Sequence, residues 1–246
     1  LGKKEYDLSS VEFLMTGAAP TPLKILKFFQ ERGLAIYEGF GMTELAPLVA
    51  ILDKWDCERK NGSVGYPAFF VDVRIIDDEG RDVPARTVGE VLCRGPNMLK
   101  GYWNKPEATA EALRGGWYHS GDLGYLDEEG FLYIVDRKKD MIISGGENVY
   151  PAELEQAIYR HPAVAEVAVI GIPHDKWQEV PAAIIVLKPG ASMTENDLIE
   201  HCNQCLARFK VPKTAYFVPE LPKSGAGKIL KTELRKMYGG YKVSDK

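Results

Sequence analysis

The sequence has no long hydrophobic run and no excess of basic residues. None of its apolar stretches approaches the roughly 20 residues that a membrane-spanning helix needs, and its 35 Asp and Glu residues outnumber its 31 Lys and Arg residues. The resulting net charge of −4 argues against nucleic-acid binding by the protein as a whole. A hydrophobic content of 45% over 246 residues is instead typical of a globular protein with one large domain or two ordinary ones.

Cysteine and histidine are scarce, with four residues of each. Cys57 and Cys93 are isolated, and Cys202 and Cys205 form a single C-x-x-C pair on a predicted helix. Without a second C-x-x-C pair or histidines at metal-ligand spacing, a zinc site is not predicted. The C-x-x-C pair is either a redox pair or, as we prefer, two helical residues of a protein in a reducing cytosol.

An initiator methionine is also missing, since the sequence begins Leu-Gly-Lys-Lys-Glu-Tyr-Asp. We interpret the chain as a portion of a longer protein, so targeting signals cannot be judged from residue 1. No internal repeat is visible.

The first 60 residues predict a βαβ unit. Residues 11–15 and 35–37 are short apolar strands, and residues 21–32 between them have the pattern of an amphipathic helix. This order is typical of a parallel sheet, whose ligands bind beyond the carboxyl ends of the strands. The loops at residues 17–20 and 38–44 are predicted to lie at that edge.

From about residue 62 the pattern changes to short strands separated by acidic glycine turns, with a helix at residues 105–113. Strands at residues 71–76, 89–94 and 131–135 predict an antiparallel sheet or a small barrel. The predicted fold class is therefore α/β and α+β. It comprises the end of a large αβ domain with a β-barrel-like antiparallel subdomain, then a hinge and a small α+β domain.

Residues 136–155 have the pattern of a joint between two domains. Five polar residues precede a short apolar strand, the pair Gly145-Gly146, and a helix that begins at Pro151 with Asn148 as a candidate cap. About a hundred residues follow from this point, which predicts a separate small domain. Its predicted elements are helices at residues 151–160, 194–207 (capped by Thr194) and 229–237, and strands at residues 164–171 and 182–187.

Two glycine-rich turns carry candidate chemistry. The turn at residues 37–44 offers backbone N–H groups and Thr43 to a phosphate and Glu44 to a Mg²⁺ ion, although a simple turn with a solvated glutamate also fits. Asp122, in Ser-Gly-Asp, is suited to ribose hydroxyls, or else it satisfies its own backbone in an Asx-turn. His119 has no identifiable partner carboxylate and is interpreted as structural.

A third glycine-rich stretch, Pro222-Lys-Ser-Gly-Ala-Gly-Lys228, fails the P-loop pattern. Pro222 replaces the first glycine, and Ile229 replaces the required Ser or Thr. What remains is Lys228 at the tip of a glycine loop, suited to placing a positive charge on a phosphate or carboxylate. The surrounding segment is basic, and composition alone would favour a solvated surface.

In chain order, these motifs form one series. It reads Gly-Ala-Ala-Pro, Tyr-x-Gly-x-Gly-Met-Thr-Glu, Gly-Ser-Val-Gly, Arg-Gly-Pro-x-x-x-x-Gly-Tyr-Trp, Ser-Gly-Asp, Asp-Arg-Lys-Lys-Asp-x-Ile and Pro-Lys-x-x-x-Gly-Lys. From about residue 8 to residue 237, the series resembles the C-terminal portion of the AMP-forming acyl-CoA synthetases of the adenylate-forming superfamily, in their fatty-acid and aryl-CoA ligase branch. An ordered series is far more specific than any single short motif.

The resemblance implies a two-step reaction. A carboxylic acid attacks the α-phosphate of ATP to give an acyl-adenylate and pyrophosphate, and the thiol of coenzyme A then displaces AMP. The implied catalytic residues are Lys228, Thr43 and Glu44, with Glu44 as the Mg²⁺ ligand. The implied nucleotide-binding residues are Gly17, Ala18, Ala19, Glu38, Gly39, Phe40, Asp122 and Arg137. The implied contacts with the acyl substrate are Gly41 and Met42.

For the second step, the small domain of this family rotates about a hinge. The matching residue is Lys139, which would divide the chain into residues 1–138 and 140–246. Rotation would withdraw Lys228 and bring the CoA-facing residues to the site. These would be Ser144, Gly145, Gly146 and Trp177, with Lys210 and Lys213 near the CoA phosphates. Trp177 fits equally well as a half-buried surface side chain.

The resemblance also sets an expectation about activity. The Ser/Thr/Gly-rich loop that grips the β- and γ-phosphates in this family has no counterpart in the chain, nor do most residues of the acyl pocket. We therefore expect the chain alone to be inactive in adenylation. The expected full activity is that of a fatty-acyl-CoA ligase for long- or medium-chain acids. The alternatives are an aryl-CoA ligase of the coumarate or benzoate type, an adenylation domain that serves a carrier protein, and a non-catalytic module that binds CoA or nucleotide.

The expected ligands are ATP, Mg²⁺, coenzyme A and a carboxylic acid, all as substrates or their counter-ion. No tightly bound prosthetic group, nucleic acid or transmembrane segment is expected. The expected localisation is cytoplasmic. A homodimer and a peripheral association with a membrane surface stay open.

Overall fold

The protein divides into two compact units, Leu1–Ile134 and Val135–Lys246. The computed structural model describes residues 7–17, 21–225 and 227–241. Lys139, the predicted hinge, lies in the second unit, within a 3-10 turn at Lys138–Asp140. No helix in these described ranges is both long enough and apolar enough to cross a membrane.

The first sheet of the first unit contains the predicted βαβ unit. In spatial order its strands are β1 (Leu14–Gly17), β2 (Ile36–Gly41), β3 (Leu48–Ile51) and β4 (Tyr66–Pro67). Helix α1 (Leu23–Gln30) connects β1 to β2, and these two strands are parallel, as predicted. Residues 38–41 were predicted to be part of a loop, and that prediction is wrong. They extend β2 because they pair with β1 on one side and β3 on the other.

The second sheet of the first unit is antiparallel. Its strands, in order, are β5 (Asp72–Ile76), β6 (Gly89–Arg94), β7 (Tyr118–Leu126) and β8 (Leu132–Arg137). Helix α2 (Pro106–Ala112) connects β6 to β7. The antiparallel prediction is confirmed. Within the described residues the strand order is linear, so the sheet is open and does not close into a barrel.

One core joins the two sheets of the first unit. Val49 and Ala50 of β3 and Leu45 pack with Val91 of β6 and Leu132 of β8, all of them buried. Strands rich in β-branched residues suit such a pleated, half-buried surface. The core therefore fixes the end of β2 and the start of β7 in one body, and these are the places where the predicted nucleotide residues lie.

The second unit is built on one five-stranded sheet. Its strands are β9 (Ile142–Ser144), β10 (Glu147–Val149), β11 (Val164–His174), β12 (Gln178–Leu187) and β13 (Thr214–Phe217). Its helices are α3 (Pro151–Tyr159), α4 (Glu195–Asn203) and α5 (Lys231–Tyr238). The hairpin of β11 and β12 is buried on both faces, because alternate side chains enter two different cores. Val167 and Ile185 pack with α3 and α4, whereas Ile170 and Ile184 pack with α5.

Two predicted helix starts have different outcomes. Thr194 caps α4 as predicted, in a reciprocal capping box with Asp197. Asn148 does not cap α3, because it is paired with Ile143 in the β9–β10 hairpin. Instead, a carboxylate oxygen of Asp136 accepts the N–H of Ala152 at 2.8 Å.

Helices α4 and α5 are both shorter than predicted. Helix α4 ends at Asn203, so Cys202 is buried in the helix while Cys205 lies beyond it, exposed, and both thiols are free. Helix α5 begins at Lys231, because Ile229 forms an antiparallel bridge with Lys223.

Candidate active site

The predicted phosphate turn leaves the sheet where β2 ends. Gly41 closes the strand, and a Cβ there would lie 2.1 Å from the carbonyl oxygen of Pro47. The N–H of Met42 donates to that same carbonyl at 2.7 Å, and a 3-10 turn follows at Thr43–Leu45. The side chain of Leu45 is fully buried and anchors this turn. The close backbone approach therefore requires glycine and sets the direction of the two residues that follow.

Glu44 is held by a tyrosine that the sequence analysis did not assign. The hydroxyl of Tyr102 donates to Glu44 Oε1 at 2.9 Å, and the hydroxyl of Tyr118 lies 3.3 Å from that of Tyr102. Burial raises the pKa of Tyr102, and Glu44 acts in the same direction, so the phenol stays a donor. Tyr102 belongs to the Gly-Tyr-Trp motif, which was the available signal. The Glu44 carboxylate and the adjacent Thr43 hydroxyl are oxygen donors that fit Mg²⁺, an ion that proteins bind through one or two carboxylates plus substrate phosphates.

Glu38 is a buried carboxyl on β2 whose predicted role was contact with adenine. It shares a strand face with the buried Ile36, and its carboxyl accepts a hydrogen bond from the backbone N–H of Gly62. Burial raises its pKa to about 7, well above the ordinary value of 4.5. The adenine contact stays a prediction.

Gly17 and Gly39 are neighbours across the parallel pair of β1 and β2. A Cβ on Gly17 would lie 2.8 Å from the carbonyl oxygen of Gly39. The structure thus brings together two predicted nucleotide-binding segments at the carboxyl end of β1. Ala18 and Ala19, also predicted there, lie outside the described residues.

Asp122 lies in an irregular part of strand β7, so the prediction of a glycine-rich turn around it is wrong. Between the pairs Glu90↔Leu123 and Leu92↔His119, β6 has one residue and β7 has three. Gly121 occupies this bulge with a positive φ of 68°, and Asp122 is buried. Burial, together with the charge of Asp122, raises the pKa of the neighbouring Cys93 thiol to about 12. A bulge of this kind turns a side chain out of the regular alternation, which suits a carboxylate that has to reach a ligand.

A buried carboxylate lies close to His119, although none was identifiable from the sequence. His119 Nδ1 lies 3.3 Å from Oε1 of the buried Glu90, and a guanidinium nitrogen of Arg114 lies 3.8 Å from the other Glu90 oxygen. This carboxylate was missed because Glu90 is distant in sequence and reaches His119 only through the β6–β7 pairing.

The joint in the second unit is fastened by two buried carboxylates. Asp136 accepts from Ala152 at the start of α3, and Asp140 pairs with Arg235 of α5 at 2.7 Å. Arg137 and Lys139 lie between them and are exposed. The polar cluster therefore has two buried carboxylates that contact helices α3 and α5, and exposed basic residues between them.

The predicted CoA-facing turn is held rigidly. Ser144 pairs with Glu147, and the two glycines between them have positive φ angles of 61° and 89°, the conformation of a tight two-residue hairpin turn. The N–H of Gly145 donates to the carbonyl of Trp177 at 2.9 Å, and a Cβ on Gly145 would lie 2.6 Å from the Trp177 ring. The structure therefore brings Gly145 and Trp177 together, and an alanine could not replace Gly145 without moving the indole.

A buried histidine, which the sequence analysis passed over, shapes the turn that carries Trp177. His174 Nδ1 accepts from the N–H groups of Lys176 and Trp177, at 3.1 and 3.3 Å. Lys210, a candidate for the CoA phosphates, is paired with Glu153 at 2.7 Å. A CoA phosphate would therefore have to compete with this carboxylate for Lys210.

Lys228 is exposed at the end of a hairpin loop. Lys223 and Ile229 close the loop by an antiparallel bridge. The carbonyl of Lys228 accepts the N–H of Ser224, and the N–H of Lys228 donates to Ser224 Oγ. Lys223 in the same loop forms an ion pair with Glu166 at 2.7 Å. The loop thus presents the ammonium group of Lys228 to solvent while its base is fixed to the sheet.

Two family profiles match the chain. Residues 1–103 match the AMP-binding enzyme family, and residues 153–228 match the AMP-binding enzyme C-terminal domain. Feruloyl-CoA synthase of an Amycolatopsis species is 48% identical over 233 residues, which cover 95% of this chain and 48% of that protein. The 2-succinylbenzoate–CoA ligase of Bacillus cereus (strain Q1) is 46% identical over 237 residues, covering 96% of this chain and 48% of the relative.

Solved structures agree with this match. The o-succinylbenzoate CoA synthetase of Bacillus subtilis, in complex with its acyl-adenylate intermediate, superposes with a TM-score of 0.87 at 38% identity. The superposition covers 92% of this chain and 46% of that one. The same synthetase has been solved with ATP and a magnesium ion, with a TM-score of 0.85.

The fold and these matches define an adenylate-forming class of protein. The chain belongs to the AMP-binding enzyme family, within the adenylate-forming superfamily. It spans about half the length of the curated relatives it matches.

Proposed function

We propose that the chain is the C-terminal half of an ATP-dependent, AMP-forming aryl-CoA ligase. The observation that carries the proposal is the match along nearly the whole chain to feruloyl-CoA synthase and 2-succinylbenzoate–CoA ligase, both named for aromatic acids. This match favours the aryl alternative over the fatty-acid substrate expected from the sequence. It gives no support to a role in long-chain lipid metabolism.

In the first half-reaction, the residues of this chain position and neutralise charge. Lys228 would place its ammonium between the substrate carboxylate and the α-phosphate, where negative charge gathers in the transition state. Glu44, oriented by Tyr102, would hold Mg²⁺ together with Thr43. The ion, when bound, supplies charge neutralisation on the phosphates. Asp122 and Arg137 would hold the ribose hydroxyls.

The remaining predicted nucleotide and substrate contacts belong to two glycine-containing segments. In the first unit these residues are Gly17, Ala18, Ala19, Glu38, Gly39, Phe40, Gly41 and Met42. The turn after Gly41 is anchored in the core by Leu45. Its backbone is therefore expected to keep its position when the substrate binds.

In the second half-reaction, the thiol of coenzyme A would attack the acyl carbonyl and release AMP. We assign the pivot to Lys139. The proposed CoA contacts are Ser144, which is buried in this structure, the exposed Gly145 and Gly146, and the half-buried Trp177. The hairpin turn at Gly145 packs directly against the Trp177 ring with no side chain between them, and the pantetheine arm would lie against this turn. The second unit would thus serve both half-reactions with different surfaces.

The test is a substrate panel with the full-length protein that carries this chain. Ferulate, 4-coumarate, benzoate, 2-succinylbenzoate and fatty acids of eight to sixteen carbons would each be assayed for pyrophosphate release and for thioester formation. We expect kcat/KM for at least one aryl acid to exceed that of every fatty acid by about 100-fold or more. A fatty acid as the best substrate would overturn the aryl assignment, and no ATP- and CoA-dependent thioester with any acid would overturn the ligase proposal.

A further inference from the structure

We propose that Ser120 is a positioning residue that fixes Asp122 for contact with the ribose hydroxyls of the nucleotide. This inference rests on the proposed function, because it takes Asp122 as a ribose contact. Ser120 itself would touch no substrate. Its hydroxyl would act only through the backbone of the bulge that carries Asp122.

The hydroxyl of Ser120 bridges the two strands at the bulge. Ser120 is buried, its Oγ donates to the carbonyl oxygen of Val91 at 2.7 Å, and the same Oγ accepts the N–H of Asp122 at 3.0 Å. Val91 is the single β6 residue that faces the three-residue bulge of β7. The regular ladder cannot satisfy every N–H of a strand that has extra residues. The side chain of Ser120 therefore accepts the hydrogen bond that the neighbouring strand does not accept. It thereby fixes the orientation of the peptide group that carries Asp122.

The backbone alone would not keep this conformation. Gly121 lies between the two hydrogen-bonded residues with a positive φ of 68°. Glycine adopts positive and negative φ angles about equally readily, so Gly121 alone does not hold this conformation. Removing the hydroxyl would leave the buried N–H of Asp122 without that acceptor, so the bulge would relax towards another arrangement. A small rotation at Asp122 would suffice to separate its carboxylate from two adjacent ribose hydroxyls, since hydrogen bonds weaken steeply with angle.

The chain contains a matched control in Ser63. Its Oγ donates to the carbonyl of Leu132 at 2.8 Å and accepts the N–H of Gly65, two residues later, at 2.9 Å. Ser63 is fully buried, and Gly65 also has a positive φ, of 87°. The two serines thus make the same pair of hydrogen bonds in the same unit, but the residue that Ser63 fixes has no side chain. Ser63→Ala reproduces the structural loss without the loss of a positioned carboxylate.

The test compares AMP with 2′,3′-dideoxy-AMP, which lacks both ribose hydroxyls, by calorimetry on the full-length protein. Asp122→Ala is expected to weaken AMP binding by roughly 100-fold, and Ser120→Ala by roughly 10-fold. Both variants should bind dideoxy-AMP within about twofold of the parent, because the lost interaction is with the hydroxyls alone. Ser120→Thr keeps the hydroxyl and should restore the preference for AMP.

The Ser63→Ala control distinguishes a loss of Asp122 positioning from a general loss of stability. Ser63→Ala should lower the melting temperature about as much as Ser120→Ala does, yet keep the parental ratio of the two affinities. If Ser120→Ala does not fold, Ser120→Cys, of similar size but a weaker hydrogen-bonding group, should show an intermediate ratio. A parental ratio in the Ser120 variants, or an equal loss of the ratio in Ser63→Ala, would overturn the inference. A parental AMP affinity in Asp122→Ala would instead remove the ribose contact on which it rests.

Discussion

The two units differ in how they hold their charged candidate site residues. In the first unit Glu38, Glu44 and Asp122 are buried or partly buried. The N–H of Gly62 and the hydroxyl of Tyr102 donate to the two glutamate carboxyls, and Ser120 Oγ accepts the N–H of Asp122. In the second unit Lys139 and Lys228 are exposed. Fixed groups suit recognition of a substrate that always binds in one place, whereas exposed groups on loops suit a contact that is made and then withdrawn. Substitutions in the first unit should therefore alter stability, and those in the second should alter the rates of single steps.

The largest effect is expected for Lys228→Ala. Loss of the ammonium group should reduce acyl-adenylate formation by about 10²- to 10³-fold, the usual cost of removing one group that stabilises developing charge. The melting temperature should stay unchanged because Lys228 is exposed. The measurement is the rate of pyrophosphate release by the full-length protein. Lys223→Ala in the same loop removes only an exposed ion pair and should keep a rate close to the parent's. A similar fall in both variants would contradict a specific role for Lys228.

A smaller effect is expected for Lys139→Pro. The pyrrolidine ring fixes φ and would stiffen the proposed pivot. Thioester formation should fall by about tenfold or more while adenylate formation persists, as expected when a hinge limits one step. Rapid-quench assays of the two half-reactions would measure this. Lys139→Ala removes the charge but leaves the backbone free to rotate, so it should transfer the acyl group nearly as well as the parent. Equal transfer rates in the proline and alanine variants would refute the hinge assignment.

Next in size is Gly145→Ala. The new Cβ would lie 2.6 Å from the Trp177 ring, in a backbone with φ of 61°. The KM for coenzyme A in thioester formation should rise about tenfold, because the Trp177 indole must move away from the new methyl group. The left-handed backbone costs a further ~1–2 kcal/mol of stability, about the same as at any exposed glycine with positive φ. Gly190→Ala is the matched control, with φ of 75° and no atom within 4 Å of its Cβ. Gly190→Ala should lower the melting temperature through its strained backbone and leave the KM for coenzyme A unchanged. An equal KM effect in both variants would contradict the assignment of the Gly145 turn to coenzyme A.

The smallest effect is a pH dependence of stability at Glu38. Its folded pKa of about 7 exceeds the ordinary 4.5, so the folded state is relatively less stable once the pH rises from 4.5 through 7. Below pH 4.5 the carboxyl is protonated in both states and costs nothing. Glu38→Gln should therefore stabilise the protein by about 1–3 kcal/mol at pH 8 and by almost nothing at pH 4.5. Thermal unfolding at the two pH values measures this, and a gain independent of pH would refute the buried, neutral carboxyl.

Local patterns predicted the five helices and some of the strands, but not β3, β4, β7, β10 or β13. The strand–helix–strand order before residue 41 predicted the parallel pair of β1 and β2, and acidic glycine turns predicted the antiparallel sheet. The error at residues 38–41 has a physical cause. Glycines in Glu-Gly-Phe-Gly look like a loop, but both neighbouring strands pair with this segment, and pairing across the sheet outweighs local propensity.

Site residues that belong to a sequence motif could be predicted. Their contacts with residues distant in sequence could not, because only the fold brings those residues together. Glu44 and Asp122 stand in recognisable motifs, whereas Tyr102, Glu90 and Asp136 act on residues 16 to 58 positions away. Asn148 was chosen as the cap of α3 because it is near in sequence, whereas the observed acceptor, Asp136, lies in strand β8, 16 residues before Ala152. Ser120 and Ser63 lie inside quoted motifs, but their shared function in a bulge and a turn appears only in the hydrogen-bond geometry.

The central claim is that Lys228 serves the first half-reaction and the Gly145 turn serves the second. The most direct measurement supplies purified acyl-adenylate and coenzyme A to the Lys228→Ala variant of the full-length protein and follows the thioester. The account predicts a rate within about threefold of the parent's, although the same variant has lost adenylate formation. A fall in thioester formation as large as the fall in adenylate formation would contradict the account.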